Sequence, residues 1–152
     1  MNDVPLTVYN QNILRDLSTT WAEGFHYAVS SSYEILNVFD YVTTHSEVEW
    51  AIGSFYDNHK KKIAIVSGTS DSVNPISAIE GINEDSVISN IHTHTGFIQD
   101  RGASGYIAPV TRPNDRENVT NLYYRMKVIG KRMPKQYVFE VPNGSIYEYN
   151  PW

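Results

Sequence analysis

The residues best placed to do chemistry are His92-Thr93-His94. On a strand, residues i and i+2 point to the same face, so two imidazoles at this spacing can reach one ion. Taken alone, the pattern also describes two surface histidines at a strand end. Asp115 follows downstream, where a helical pattern opens and helix amides can orient a carboxylate. Asp is equally a good N-cap residue, so Asp115 has a second reading that needs no metal. Two His, one Asp and a water make an open zinc site, with three protein ligands and a fourth position kept for chemistry. The candidate general base is Glu49, on the same predicted strand face as Ala51 and Gly53, where a water or substrate has room to approach. It would accept a proton from a water whose pKa the ion lowers to roughly 7. Glu47 shares that face and competes for the role, and either one could be a solvated strand residue.

Composition narrows the chemistry further. The chain has no cysteine, which removes Cys-ligated zinc, disulfides and thiol nucleophiles together and leaves His and carboxylates as the strong ligands. A net charge of -5 argues against a broad nucleic-acid surface, which needs clustered Lys and Arg. The one basic run, Lys60-Lys61-Lys62, follows Asp57-Asn58-His59 and reads as a solvated hairpin tip. No apolar run approaches the roughly 18 residues of a membrane span, and no signal peptide is evident. A soluble chain is expected, alone or as a piece of something larger; no compartment is fixed. At 152 residues with 41% hydrophobic content, the chain is long and apolar enough for one domain with a real core.

The elements that must hold these residues follow from periodicity. Leu14, Leu17, Trp21, Phe25 and Ala28 recur at helical steps, predicting a helix over residues 11–28. Residues 33–42 are β-rich and read either as a strand or as a loose continuation of that helix. From 47 to 56 the pattern alternates, with Val48, Trp50 and Ile52 on one face; a turn at Asp57-Asn58 leads to a second strand over 62–67. Residues 68–85 read as a long loop with a short helix near 76–80. A strand over 86–95 carries the histidines into a loop over 96–113, long enough to suggest function. Val119, Leu122, Tyr123 and Met126 predict a helix from Asp115. Strands over 136–141 and 145–149, joined by Pro142-Asn143-Gly144, close the chain as a hairpin. The expected fold class is α+β. One domain is expected over residues 1–152, divided into an N-terminal helical extension (1–46) and a metal-site core (47–152).

This order of strand Glu, hairpin, H-x-H at a strand end, loop, and Asp opening a helix resembles the JAB/MPN (JAMM) metallopeptidase domain. The matching residues are Glu49-Trp50-Ala51-Ile52-Gly53, His92-Thr93-His94 and Arg112-Pro113-Asn114-Asp115. The sequence is most similar to the JAB-like domains at the C-terminus of bacterial Rhs-type polymorphic toxins, which also tend to show I-H-T-H and a terminal strand like 144–151. The resemblance runs from about residue 47 to the end. It implies a mixed β-sheet flanked by helices, of the cytidine-deaminase-like kind, with zinc on His92, His94 and Asp115 and Glu49 as proton shuttle. It also implies a protein or peptide substrate cut at a peptide or isopeptide bond, secretion or delivery into a target cell, and a cognate immunity protein as partner. Nucleic acid and membrane are not implied as partners. Three departures stand out. Thr95 replaces the family's Pro after the second His, the spacer is longer than in eukaryotic members, and Arg112 replaces the Ser that helps hold the oxyanion. Arg112 either supplies positive charge for the same task or marks lost activity; Thr111 and Ser104 are alternative donors.

Other readings fit less of the sequence. An amidohydrolase with H-x-H needs a barrel of about 250 residues. A zinc deaminase needs P-C-x-x-C, which is missing. A metal-dependent nuclease is disfavoured by the acidic balance. The main rival is a catalytically inactive JAB-like module that binds partner proteins, which Arg112 keeps open.

Overall fold

The computed structural model describes residues 8–19, 21–22, 25–69, 72–94, 115–141 and 144–151. Its elements run α1 (Val8–Thr19), β1 (Trp21–Ala22), β2 (Phe25–Ser30), α2 (Ile35–His45), β3 (Trp50–Asp57), β4 (Lys60–Ser67), β5 (Val87–His94), α3 (Asp115–Ile129), β6 (Lys135–Glu140) and β7 (Ser145–Tyr149). Two 3-10 turns, Ile76–Ala78 and Glu84–Ser86, punctuate the connection before β5. Six strands form the main sheet in the order β2-β4-β3-β5-β6-β7, and the short β1 adds beyond β2. The α+β class expected from the sequence is what the structure has.

Among the described residues, only β5 and β6 pair in parallel; every other pair is antiparallel. Parallel neighbours need a crossover of a dozen or more residues. Here the crossover includes α3, and α3 begins with Asp115, so the topology returns that residue towards the strand carrying the histidines.

Strand alternation gives the sheet two different faces. On one, Trp50, Ile52, Ile63, Ile65 and Ala28 pack with Ile13 of α1 and with Ile35, Val38 and Val42 of α2. On the other, Ala51, Phe55, Ala64 and Val66 pack with Ile76, Ile79 and Ile82 from the connection between β4 and β5. The β3–β4 hairpin turns through Asn58 (φ 48°) and His59 (φ 66°), the paired left-handed conformations of a two-residue type I′ turn. α3 buries Val119 and Met126, half-buries Leu122 and Tyr123, and is tied to the preceding connection by Arg125 on Glu84 (Nε to Oε1 2.7 Å).

Four expectations need correction. The first helix stops at Thr19, and Phe25–Ser30, expected within it, is a strand. Ala28 does face the same core as Leu14, but it arrives there by strand alternation opposite Ile65, so its helical spacing was coincidental. Residues 33–42 are neither strand nor continuation; α2 covers most of them, because Ile35, Val38 and Val42 fall on one helical face and packing overrides their β propensity. The first 46 residues, expected as a helical extension, supply strand β2 and much of one core. The run Lys60-Lys61-Lys62 opens β4 instead of forming the tip, and Lys62 reaches back to Asp57 (2.7 Å). The loop expected over 96–113 lies outside the described residues, as do Pro142 and Asn143 of the last turn.

Candidate metal centre

Register explains why the two imidazoles face inward together. His92 lies between Ala51 of β3 and Val138 of β6, and His94 lies beside Glu140. Ala51 and Val138 are fully buried and small, which leaves space above them for the rings. Thr93, between the histidines, points to the opposite face. Its Oγ1 accepts the Trp50 backbone N–H (2.8 Å), so a side chain replaces a ladder bond where β3 begins. A polar residue there pins the end of β5 without entering the site.

The Nε2 atoms of His92 and His94 are 3.2 Å apart. Asp115 places Oδ1 3.2 Å from His92 Nε2 and Oδ2 3.3 Å from His94 Nε2. A tetrahedral ion with bonds of roughly 2.0–2.1 Å to N and O separates its ligand atoms by roughly 3.3–3.4 Å. The two imidazole nitrogens therefore have the mutual spacing of two ligands on such an ion, and with one carboxylate oxygen of Asp115 the three ligand atoms lie within 4.8 Å of one another, so together they are able to hold a metal ion. Asp115 is the first residue of α3, and its carboxylate is turned to the histidines at the positive end of that helix.

The surrounding charge is negative. Burial works against a charged His94, but the Asp115 hydrogen bond and the carboxylates of Asp115, Glu49 and Glu140 outweigh it and raise the His94 pKa above the ordinary histidine value. A pocket that favours a proton on nitrogen also favours a cation beside it. Of the two competing glutamates, Glu49 is buried (7% exposed) and near His94, whereas Glu47 is exposed. Backbone bonds fix Glu49: its N–H donates to Thr69 O (2.7 Å) and its carbonyl accepts from Gly68 N (2.8 Å). Arg112, Thr111, Ser104 and Thr95 lie outside the described residues.

Three contacts around the site have no announcement in the sequence. One is the bond from the Trp50 N–H to Thr93 Oγ1. Glu140, 6% exposed, is brought alongside His94 by the parallel β5–β6 pairing, which no local pattern announces. Tyr149 reaches His92 from β7, its hydroxyl 3.4 Å from Nδ1. Its one signal in the sequence was alternation along the last strand, which puts Tyr147 and Tyr149 on a common face.

Among the described residues, no helix is long and apolar enough to cross a membrane. No curated protein and no solved structure matches this chain. A family model does: JAB-like toxin 1 matches residues 27–120, a span that runs from within β2 through β5 and takes in both histidines and the start of α3. That is more than half of the chain, and the chain belongs to the JAB-like toxin 1 family.

Proposed function

We propose that this toxin domain is a zinc-dependent hydrolase of peptide or isopeptide bonds. The observation that carries the reading is the gathering of His92 Nε2, His94 Nε2 and an Asp115 carboxylate oxygen within 4.8 Å of one another, with the buried Glu49 near His94. His92, His94 and Asp115 would hold the ion. Zinc, when bound, supplies a Lewis acid that polarises a scissile carbonyl and makes water a nucleophile near neutral pH. Glu49 accepts the proton of the attacking water and delivers it to the leaving amine, so that one carboxylate serves both halves of the reaction. Burial keeps Glu49 out of bulk solvent, and the two backbone bonds hold its strand position. Arg112, at the place of the family's serine, supplies positive charge to the developing oxyanion.

The substrate is a protein or peptide of a target cell, which the chain reaches by secretion or delivery. A cognate immunity protein is the expected partner, and covering the open side of the metal centre is how it would silence the domain. Arg112 also favours a second reading, in which the family's oxyanion donor has been lost and the domain binds partner proteins without cutting them.

The experiment combines elemental analysis with expression in a bacterial host and mass-spectrometric mapping of new protein termini and freed lysines. About one zinc per chain is expected, lost in His92→Ala. Glu49→Gln should keep the zinc and lose roughly 10²–10⁴-fold in cleavage rate. Undiminished cleavage by Glu49→Gln would remove Glu49 from its role. Zinc and partner capture with no new termini would establish the non-catalytic reading instead.

A further inference from the structure

We infer that Tyr149 is a positioning residue for His92, so that the C-terminal strand helps set how tightly the metal centre holds its ion. The inference rests on the metal-binding reading of His92, His94 and Asp115. A neutral imidazole that ligates through Nε2 carries its remaining proton on Nδ1. His92 is 8% exposed, so that proton needs an acceptor inside the protein. The Tyr149 hydroxyl lies 3.4 Å from His92 Nδ1, slightly beyond the usual N–H···O range of about 2.7–3.2 Å, a gap that a small ring movement on metal binding would close. Ring packing holds it there: the phenol stands edge-on to the imidazole, centroids 5.8 Å apart and planes at 89°.

A hydroxyl offers acceptor lone pairs as well as a proton, so Tyr149 can take the Nδ1–H of His92. That choice fixes the tautomer whose Nε2 lone pair faces His94 and Asp115. It also orients the ring, as outer partners of metal-bound histidines do. The support is one-sided. His94 Nδ1 is buried and has no hydrogen-bond partner among the described residues. Tyr149 lies beyond the span matched by the family model, so this support comes from a part of the chain outside that match.

Tyr147 provides the control. It sits on the same face of β7 and in the row of His92 through Val138, yet makes no hydrogen bond to either histidine. Tyr149→Phe, Tyr147→Phe and the unaltered chain are compared by competition for zinc against a chromophoric chelator and by the visible spectrum of the cobalt-loaded protein. Tyr149→Phe should bind zinc roughly 10–100-fold more weakly and shift the cobalt bands. Tyr147→Phe should change neither, with all three metal-free chains melting alike.

Unchanged zinc affinity and cobalt spectrum in Tyr149→Phe overturn the inference and leave the metal site standing. An equal loss in Tyr147→Phe also overturns it, since packing is then the cause. An unaltered chain that takes up no metal overturns the site and its support together. A measurement without substitution is nitrogen-resolved NMR of the zinc-loaded chain, in which the His92 Nδ1 proton should be present and slow to exchange. Exchange as fast as in an exposed histidine counts against Tyr149.

Discussion

Under α1 and α2 the sheet presents Trp50, Ile52, Ile63 and Ile65, all buried and all apolar. On its opposite face the same two strands present Ala51, Gly53, Ala64 and Val66, and the next strands add Asn90, His92, His94, Gln136 and Glu140, all buried too. The two faces differ in what burial achieves. Large aliphatic side chains on the first give the hydrophobic stabilisation that holds the sheet. At the β5–β6 end of the second, His92 beside Ala51 and Val138, with His94 and Glu140, puts titratable groups inside, whose burial is costly unless they are paired with each other or with an ion. The first face, with the cluster around Phe55 and Ile76 on the second, can therefore supply the stability that the histidine end spends on function.

The largest effect is expected from Ile65→Ala, which leaves a cavity under the helices: a loss of about 2–5 kcal/mol in urea unfolding, with zinc stoichiometry unchanged in the folded fraction. If zinc uptake fell in proportion to the lost stability, the two faces would not be separable. Gly53→Ala tests the crowding of the second face. A Cβ there would collide with the Ser89 carbonyl oxygen and come within 2.8 Å of Ile76 Cδ1 and 3.2 Å of Asn90 Cα. Asn90 Oδ1 in turn accepts the Ile76 N–H (3.2 Å), so backbone and the packed turn must both move. The expected cost is about 1–3 kcal/mol in the same assay; a neutral result would mean that the connection over this face yields freely.

The smallest effect is one of pH. The folded His94 pKa stands above the unfolded value of about 6.5, so the metal-free chain has its full His94 contribution below pH 6.5 and loses it as pH rises through the folded value. The loaded chain should behave oppositely in that window, because zinc needs the unprotonated Nε2 and loses to the proton as pH falls. Melting curves with chelator and with zinc should thus slope in opposite directions against pH. Parallel slopes would separate His94 from the metal.

Residues that follow a local rule were legible in advance. The β3–β4 hairpin, the histidine strand, α3 and the closing hairpin all show the period or turn chemistry that builds them. Where two periods fit the same residues, reading failed: Ala28 satisfied a helical step and a strand alternation alike, and Ile35, Val38 and Val42 are strand formers placed at helical spacing. Local preference is weak there, and the choice was made by what each segment packs against.

The candidate site divides in the same way. Sequence alone was enough to pair His92 with His94, because strand period is a local property, and to nominate Asp115 and Glu49 as partners. That Asp115 would turn to the imidazoles, and which glutamate would be buried, depended on the crossover and on the backbone bonds to Gly68 and Thr69. Glu140 and Tyr149 entered only through the parallel and antiparallel registers of β5, β6 and β7. Those contacts join residues far apart in the chain, and only the assembled sheet decides which of them share a row.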